Sequence, residues 1–394
     1  MATRMRILIV NYEYPPLGGG GGVATRDIAV ELAKRHEVDV LTSAGPGLPP
    51  EERCQGVGIY RAPVVGRTKR STASILSMLS FWPVGILHGR RVLGGRRYDV
   101  VNSWFAVPSG PTGVSLARQL GAPHVLTMAG GDIYDPSKWY TPDKNPLLGA
   151  AVRRVLAASD AHVAVSSDLA RRARALYGFE RPIEVISLGM QPPVFTPASR
   201  EQLGLEPGIV YVVAVGRLVR RKNLTSLLTV MARLGRDDVH LLVIGDGPQQ
   251  AGLAALADSL GLGRRVQFRG FVPDETKYQL LAAADIFALP SLHEAFGLVY
   301  LEAMHCGLPV IAARPGGQED FLDEGSTGFL VSPDDLTGLE RAMATLAGDA
   351  RLRARISAHN RAVAQRFSVS ATAACYEALF ARLACRPEPV YATA

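Results

Sequence analysis

Short runs rich in valine and isoleucine alternate with amphipathic stretches of helical length along almost the whole chain. This alternation confines the fold to βαβ units wound around parallel sheets. The pattern occurs twice. In the first half, residues 6–10, 38–41, 100–102, 125–128, 161–165 and 183–186 read as strands and 23–35 as a helix. The second half restarts with a strand at 210–215, a helix at 224–234, a strand at 239–244 and a helix near 249–260; strands at 266–268, 286–289 and 310–312 follow. Between the halves lies M-Q-P-P-V-F-T-P-A, whose three prolines remove backbone donors and forbid regular structure. A chain of 394 residues, 47% of them hydrophobic, suits two cores, because single cores stop growing near roughly 250–300 residues. The expected domains are therefore residues 1–190 and 191–370. Residues 371–394 should add a helix with Tyr376, Leu379, Phe380 and Leu383 on one face, and a frayed tail from Pro387.

Four cysteines, Cys54, Cys306, Cys375 and Cys385, stand far apart without metal-ligand spacing, so neither a disulfide framework nor a zinc site is expected. The opening M-A-T-R-M-R-I-L-I-V is too short in apolar residues for a signal segment, and no run approaches the roughly 18 apolar residues of a membrane span. The expectation is a cytoplasmic protein. Part of its +7 net charge gathers between residues 67 and 97, where Arg67, Lys69 and Arg70 precede an apolar stretch at 75–87 and Arg90, Arg91, Arg96 and Arg97 follow it. Two readings stand: an interfacial helix on the anionic inner face of a membrane, or a core helix with solvated ends, interrupted by Pro83 and Gly85. Nucleic-acid binding is not expected, for want of an aromatic and basic platform.

Five consecutive glycines at 18–22 follow the first strand and lead into a helix, a setting in which backbone amides approach a ligand closely and favour an anion. A turn without a ligand fits the same residues. A nicotinamide fingerprint is not met, because the second strand ends in Thr42 and Ser43 with no carboxylate for a ribose. The strand at 210–215 runs into G-R-L-V-R-R-K-N-L, which sets Arg217 and Lys222 beyond its carboxyl edge; a fork and a compact charge can together hold a diphosphate as it leaves. The competing reading is a solvated basic turn that includes Arg220 and Arg221. V-I-G-D-G-P reads as turn chemistry. Most informative is S-L-H-E-A-F-G-L-V-Y-L-E-A-M. There Glu294 stands at an expected helix start, and Glu302 eight residues on falls about two turns away on a neighbouring face. The amides of Phe296, Gly297 and Leu298 would face an anion at that helix start.

In order and spacing, Y-P-P-x-G-G-G, G-R-L…K-N, V-I-G-D-G-P, F-R-G-F-V, E-x7-E, G-L-P-V-I-A and the trailing R-F-S resemble the retaining glycosyltransferases of family 4 over nearly the whole chain. The resemblance implies the GT-B fold: two Rossmann-like domains with parallel sheets facing a central cleft, and a C-terminal helix crossing back to the N-domain. It implies an acceptor-binding first domain and a second domain that binds a UDP- or GDP-sugar, with a hexose passed to a glycan, lipid-linked or small-molecule acceptor and no metal required. Residue by residue, it implies that Arg217 and Lys222 hold the donor diphosphate, Glu302 the ribose and Glu294 the transferred sugar. Phe296, Gly297 and Leu298 would contact the donor through their backbone, with Gly19 and Gly20 closing over it from the first domain. One departure matters: the run L-T-M-A-G-G-D has Ala129 where the family has a histidine, which leaves Asp132 as the acceptor-side residue or as a cap of the next segment. His124 is read as a loop residue and His293 as a candidate donor contact. The rival from another class is a sugar-nucleotide-binding protein of the same fold without turnover.

Overall fold

The structure is a computed structural model describing residues 4–70 and 73–385, so the tail from Pro387 lies outside the described residues. The chain divides into two compact units. The first comprises Met1–Tyr134, Tyr140–Gly189 and Val369–Ala394, the second Asp135–Trp139 and Met190–Ser368.

The first unit runs β1 (Arg6–Asn11), α1 (Gly20–Ala33), β2 (Glu37–Ser43), β3 (Glu51–Cys54), β4 (Val57–Ala62), α2 (Ile75–Leu93), β5 (Val100–Trp104), α3 (Ser109–Leu120), β6 (His124–Met128), α4 (Pro146–Ala158), β7 (Ala161–Ala164), α5 (Ser167–Tyr177) and β8 (Glu184–Val185). Its sheet has the order β3-β4-β2-β1-β5-β6-β7-β8 and is parallel except for β3, which pairs antiparallel with β4. The β3–β4 hairpin was not expected from sequence. All four residues of β3 are exposed, so no apolar run marks it, and its only signal is the turn Gln55-Gly56 with both φ positive. From β1 the chain winds first to β2 and later, through β5, to the opposite side. Neighbouring strands reverse their winding between β1 and β5, and at such a switch point the loops leave a crevice at the carboxyl edge.

Helix α2 continues through Pro83 instead of breaking there. Proline removes one amide and crowds the preceding turn, and here the Thr112 hydroxyl of α3 reaches the carbonyls of Phe81 and Trp82, at 3.4 Å each. Gly85 lets α3 approach α2, since a Cβ there would lie 3.0 Å from Thr112. Phe81 and Leu93 enter the core with Leu8, Val10, Tyr12 and Leu41, whereas Ile75, Leu76, Leu79, Trp82 and Leu87 stay exposed.

The second unit contains β9 (Val210–Val215), a 3-10 turn Arg220–Lys222, α6 (Leu224–Leu234), β10 (Val239–Ile244), α7 (Gln250–Ser259), β11 (Val266–Gly270), α8 (Asp274–Ala283), β12 (Ile286–Leu289), α9 (Leu298–His305), β13 (Val310–Ala313), β14 (Gly328–Val331), α10 (Leu336–Gly348) and α11 (Ala350–Ala364). Its sheet is wholly parallel, in the order β11-β10-β9-β12-β13-β14, with the switch between β9 and β12. Helix α12 (Val369–Ala384) belongs to the first unit; Arg35 and the buried His36, at the end of α1, both pair with its Glu377. Tyr376, Leu379, Phe380 and Leu383 form its buried face. Each unit is thus a doubly wound α/β layer structure, the fold expected from the doubled strand and helix pattern.

Candidate functional site

In the second unit the loops after β9 and β12 meet because those strands are neighbours at the switch point. The Leu292 amide donates to the Arg221 carbonyl at 2.8 Å and ties the two loops together. Lys222, from the first loop, places Nζ 2.6 Å from Glu294 Oε1, from the second, and Arg221 Nη1 lies 3.9 Å from the other carboxylate oxygen. Glu294 is 6% exposed. Burial alone would raise its pKa, but Lys222 and Arg221 outweigh that and hold it down to about 2. An ionised carboxylate and an ammonium, both nearly buried, therefore face one another at the carboxyl edge of a parallel sheet. Arg221, set aside in sequence as part of a solvated turn, supplies the second charge; its spacing from Lys222 held no signal of this.

Glu294 does not stand at the start of a helix. Helix α9 begins only at Leu298, and Gly297, with φ +92°, turns the chain into it. Since Glu294 lies on the preceding loop, the rotation of eight helical residues does not relate it to Glu302. Glycine at 297 is required by the fold itself, because a Cβ there would lie 2.5 Å from the Tyr300 ring. Phe296 is a core residue whose ring centre lies 5.0 Å from that of Phe321, the two rings tilted by 48°, so only its backbone is available to a ligand. Glu302 projects from α9 toward α8, where Lys277 Nζ lies at 3.0 Å and the Tyr278 hydroxyl donates at 3.3 Å. Burial is the largest single influence on the Lys277 pKa and lowers it. The charges of Glu302 and Tyr278 and the hydrogen bonds to Asp274 and Glu302 together outweigh burial and raise it, so this lysine stays protonated. The structure thus joins Lys222 to Glu294 and gives Glu302 separate partners.

Arg217 is exposed on the turn after β9. That turn is pressed against G-D-G-P: a Cβ on Gly245 would lie 2.1 Å from the Gly216 carbonyl, and one on Gly247 2.5 Å from that of Leu218. These glycines let the two loops stack, which is the structural reading expected of them. His293 is buried beside Glu294.

In the first unit, Gly20 opens α1, three residues earlier than expected, with Gly19 at the cap. Gly21 and Gly22 are glycines for reasons of fold, since Cβ atoms there would lie 2.6 Å from the Phe105 ring and from the Glu13 carbonyl. At Gly19 and Gly20 an added Cβ would meet nothing within 4 Å, so the fold does not demand glycine there. The buried Asp132 carboxylate accepts from the amides of Ala106, Gly130 and Ala129 at 2.7, 2.8 and 3.3 Å. It braces the loops after β5 and β6 and caps no following segment. Burial, resisted by those three amides, leaves its pKa pushed up to about 6. His124 is not a loop residue either: it opens β6, buried, with its ring nitrogens 2.9 Å from Ser103 and Ser159. Desolvation, aided by His162 and Arg118, lowers its pKa to about 3.

The four cysteines are free, and among the described residues no helix is long and apolar enough to cross a membrane.

Residues 18–192 match the family model for Glycosyltransferase Family 4, and residues 195–363 that for Glycosyl transferases group 1. A D-inositol 3-phosphate glycosyltransferase of Nocardia farcinica is 31% identical, over 93% of this chain and 87% of that protein. A GDP-mannose-dependent alpha-(1-6)-phosphatidylinositol monomannoside mannosyltransferase of Mycolicibacterium smegmatis is 28% identical, over 90% and 92%. Among solved structures, sucrose-phosphate synthase from Thermosynechococcus elongatus superposes with a TM-score of 0.85 at 24% identity, covering 96% of this chain and 99% of that one. With two doubly wound units, a charged pair at a switch point and these likenesses over nearly its whole length, the chain belongs to the family 4 glycosyltransferases of GT-B fold.

Proposed function

We propose that the protein transfers a hexose from a nucleotide-diphosphate sugar to an acceptor hydroxyl with retention of configuration, as an enzyme of the EC 2.4.1 type. The observation that carries this reading is the buried Glu294 held by Lys222 and Arg221 at the switch point of the second sheet. Lys222, with the exposed Arg217 on the same loop, stabilises the diphosphate as the bond from the sugar C1 to the phosphate oxygen breaks. Glu294 orients the sugar, and the backbone at Phe296, Gly297 and Leu298 contacts the donor. Glu302 exchanges its contact with Lys277 for the ribose hydroxyls. The acceptor oxygen then bonds to C1 on the same face, and its proton passes to the leaving phosphate oxygen. Arg217 and Lys222 provide the positive charge, so no metal is called for. The donor is a UDP- or GDP-sugar. Gly19 and Gly20, where the fold makes no demand for glycine, offer the donor their backbone.

Steady release of nucleoside diphosphate from a sugar nucleotide, abolished in Lys222→Ala, is the expected result. Tight nucleotide binding with no turnover under any acceptor would instead leave a sugar-nucleotide-binding protein. Within the site, Arg217→Ala lowers turnover, whereas Glu302→Ala raises the donor KM more than it lowers kcat; unchanged kinetics in both would remove the assigned donor site.

The reaction takes place at the inner membrane face, held there by α2. Support comes from its outer side, where Ile75, Leu76, Leu79, Trp82 and Leu87 are each 52–65% exposed, with the exposed Arg90, Arg91 and Arg97 following. Apolar side chains and an indole enter the headgroup boundary while guanidinium groups meet anionic lipid. Leu79→Glu with Trp82→Glu should abolish co-sedimentation with phosphatidylglycerol vesicles at low salt; unaltered sedimentation would remove this surface from the account.

A further inference from the structure

Two buried oxygens on the loop between β6 and α4 have no partner. Thr141 is 2% exposed, and neither its Oγ1 nor Asp143 Oδ1, two residues on, meets a hydrogen-bonding group. The turn that carries them is fixed. The amides of Lys144 and Asn145 both donate to the Thr141 carbonyl at 2.9 Å, and the Asn145 side chain accepts from the amides of Leu147 and Leu148 at 3.0 and 3.1 Å to start α4. Gly149 lets α4 press against this turn, since a Cβ there would lie 2.9 Å from the Pro142 carbonyl. A backbone so held does not swing its side chains toward partners elsewhere in the fold.

Folds leave few buried polar atoms unmet, because a group withdrawn from water without a replacement bond destabilises the native state, and the exceptions gather at functional sites. The place of these two fits such a site. Their loop leaves the carboxyl end of β6, which pairs with β5 and so stands one strand from the switch point, where doubly wound folds bind ligands. Asp143 lies in the neighbourhood that Asp132 braces: burial first, then the charges of Asp132 and Asp143, raises the Tyr177 pKa. The Tyr177 hydroxyl is itself committed, donating to the Ile133 carbonyl at 2.8 Å.

A carboxylate oxygen only accepts, whereas a threonine hydroxyl both donates and accepts. The ligand group that serves both is another hydroxyl, giving its proton to Asp143 and taking one from Thr141. Asp143 repels a phosphate, and an ammonium has no lone pair for the Thr141 proton. We propose that Asp143 and Thr141 bind neighbouring hydroxyls of a sugar or other polyol, the acceptor, at positions other than the hydroxyl that reacts. That this polyol is the acceptor rests on the proposed function; the site itself is tested by binding alone.

The experiment is saturation-transfer NMR on the full chain, with methyl α-D-glucopyranoside and methyl α-D-mannopyranoside as probes and UDP or GDP saturating the donor site. Wild-type protein is expected to bind at least one of them. Thr141→Val and Asp143→Ala should each weaken that binding by at least about tenfold, and Asp143→Asn less than Asp143→Ala, because its amide oxygen still accepts. Thr141→Val fills the same space without the unmet oxygen, so its denaturant midpoint should equal or exceed that of wild type. Should Asp143→Ala fail to fold, Thr141→Val carries the test. A lowered midpoint in Thr141→Val marks its hydroxyl as structural and overturns the proposal. So does binding of neither glycoside, or binding unchanged in Thr141→Val and Asp143→Ala. Displacement of the glycoside by methylamine would make this a cation site and overturns it as well. In a second arm, the bound glycoside should raise nucleoside diphosphate release, with a higher glycoside KM and an unchanged donor KM in Thr141→Val; a changed donor KM instead overturns the assignment to the acceptor. Lys222→Ala, which ends transfer, leaves glycoside binding intact, so the two readings fail separately.

Discussion

Lys222 and Glu294 stabilise each other only as a pair. Each is nearly withdrawn from water, with side chains 11% and 7% exposed, and removing one leaves the other as an uncompensated buried charge. Lys222→Ala should therefore destabilise the second unit by about 3–5 kcal/mol, read as a lowered denaturant midpoint, besides abolishing transfer. Glu294→Gln with Lys222→Met, which removes both charges, should recover part of that stability and none of the activity. The pH dependence of the pair has a definite sign. Glu294 titrates near 2 in the folded chain and near ~4.3 in an unfolded one. Its contribution is complete above the higher value and is lost as pH falls from there toward 2. Arg221 was the residue least visible in sequence, because one arginine among three basic neighbours carries no mark of which points inward.

At the scale of elements, the first sheet places histidines where they stay neutral. His124 and His162 titrate at about 3 and about 4 when folded, below the ~6.5 of an unfolded chain. Burial is the main cause for each. Both must gain a proton on unfolding in acid, so their contribution is full above ~6.5 and falls steadily below it. Asp132, at about 6, opposes them between there and ~3.9, one group against two. The denaturant midpoint of the first unit should fall from pH 7 to pH 4, and His124→Gln should flatten that slope. Helix α1 offers another test. Alanine at Gly20 meets no neighbour and favours the helix, gaining up to ~1 kcal/mol. A rise in melting temperature joined to a loss of transfer would separate the ligand-facing role of this glycine from any structural one; unchanged transfer would remove Gly20 from the site. Strand positions with apolar runs, such as β9, β10 and β12, were legible to the residue, whereas the exposed β3 was not. Pro83 misled for a related reason: sequence records the missing amide but not Thr112, which comes from another helix to meet the carbonyls beside it.

At the scale of the whole molecule, the proposed donor site is built from residues of the second unit, Lys222 and Glu294 among them. Saturating nucleotide should therefore slow hydrogen exchange chiefly in residues 190–368, with stabilisation of about 2.7 kcal/mol at a hundredfold excess over Kd. Chelators should leave transfer unchanged if Arg217 and Lys222 carry the charge of the leaving group. Loss of activity in EDTA, restored by a divalent cation, would contradict that. The amino-acid sequence by itself determined the two βαβ series, the proline-rich segment between them and the family, because hydrophobic period and motif order are local properties of the chain. Tertiary structure alone decided which charges meet. Lys222 and Glu294 are 72 residues apart and come together because β9 and β12 are adjacent. Arg67 and the amide of Gly18, which precedes α1, share the Arg70 carbonyl. Strand order is set by how the helices pack on both faces of a sheet, a long-range choice that no local pattern records.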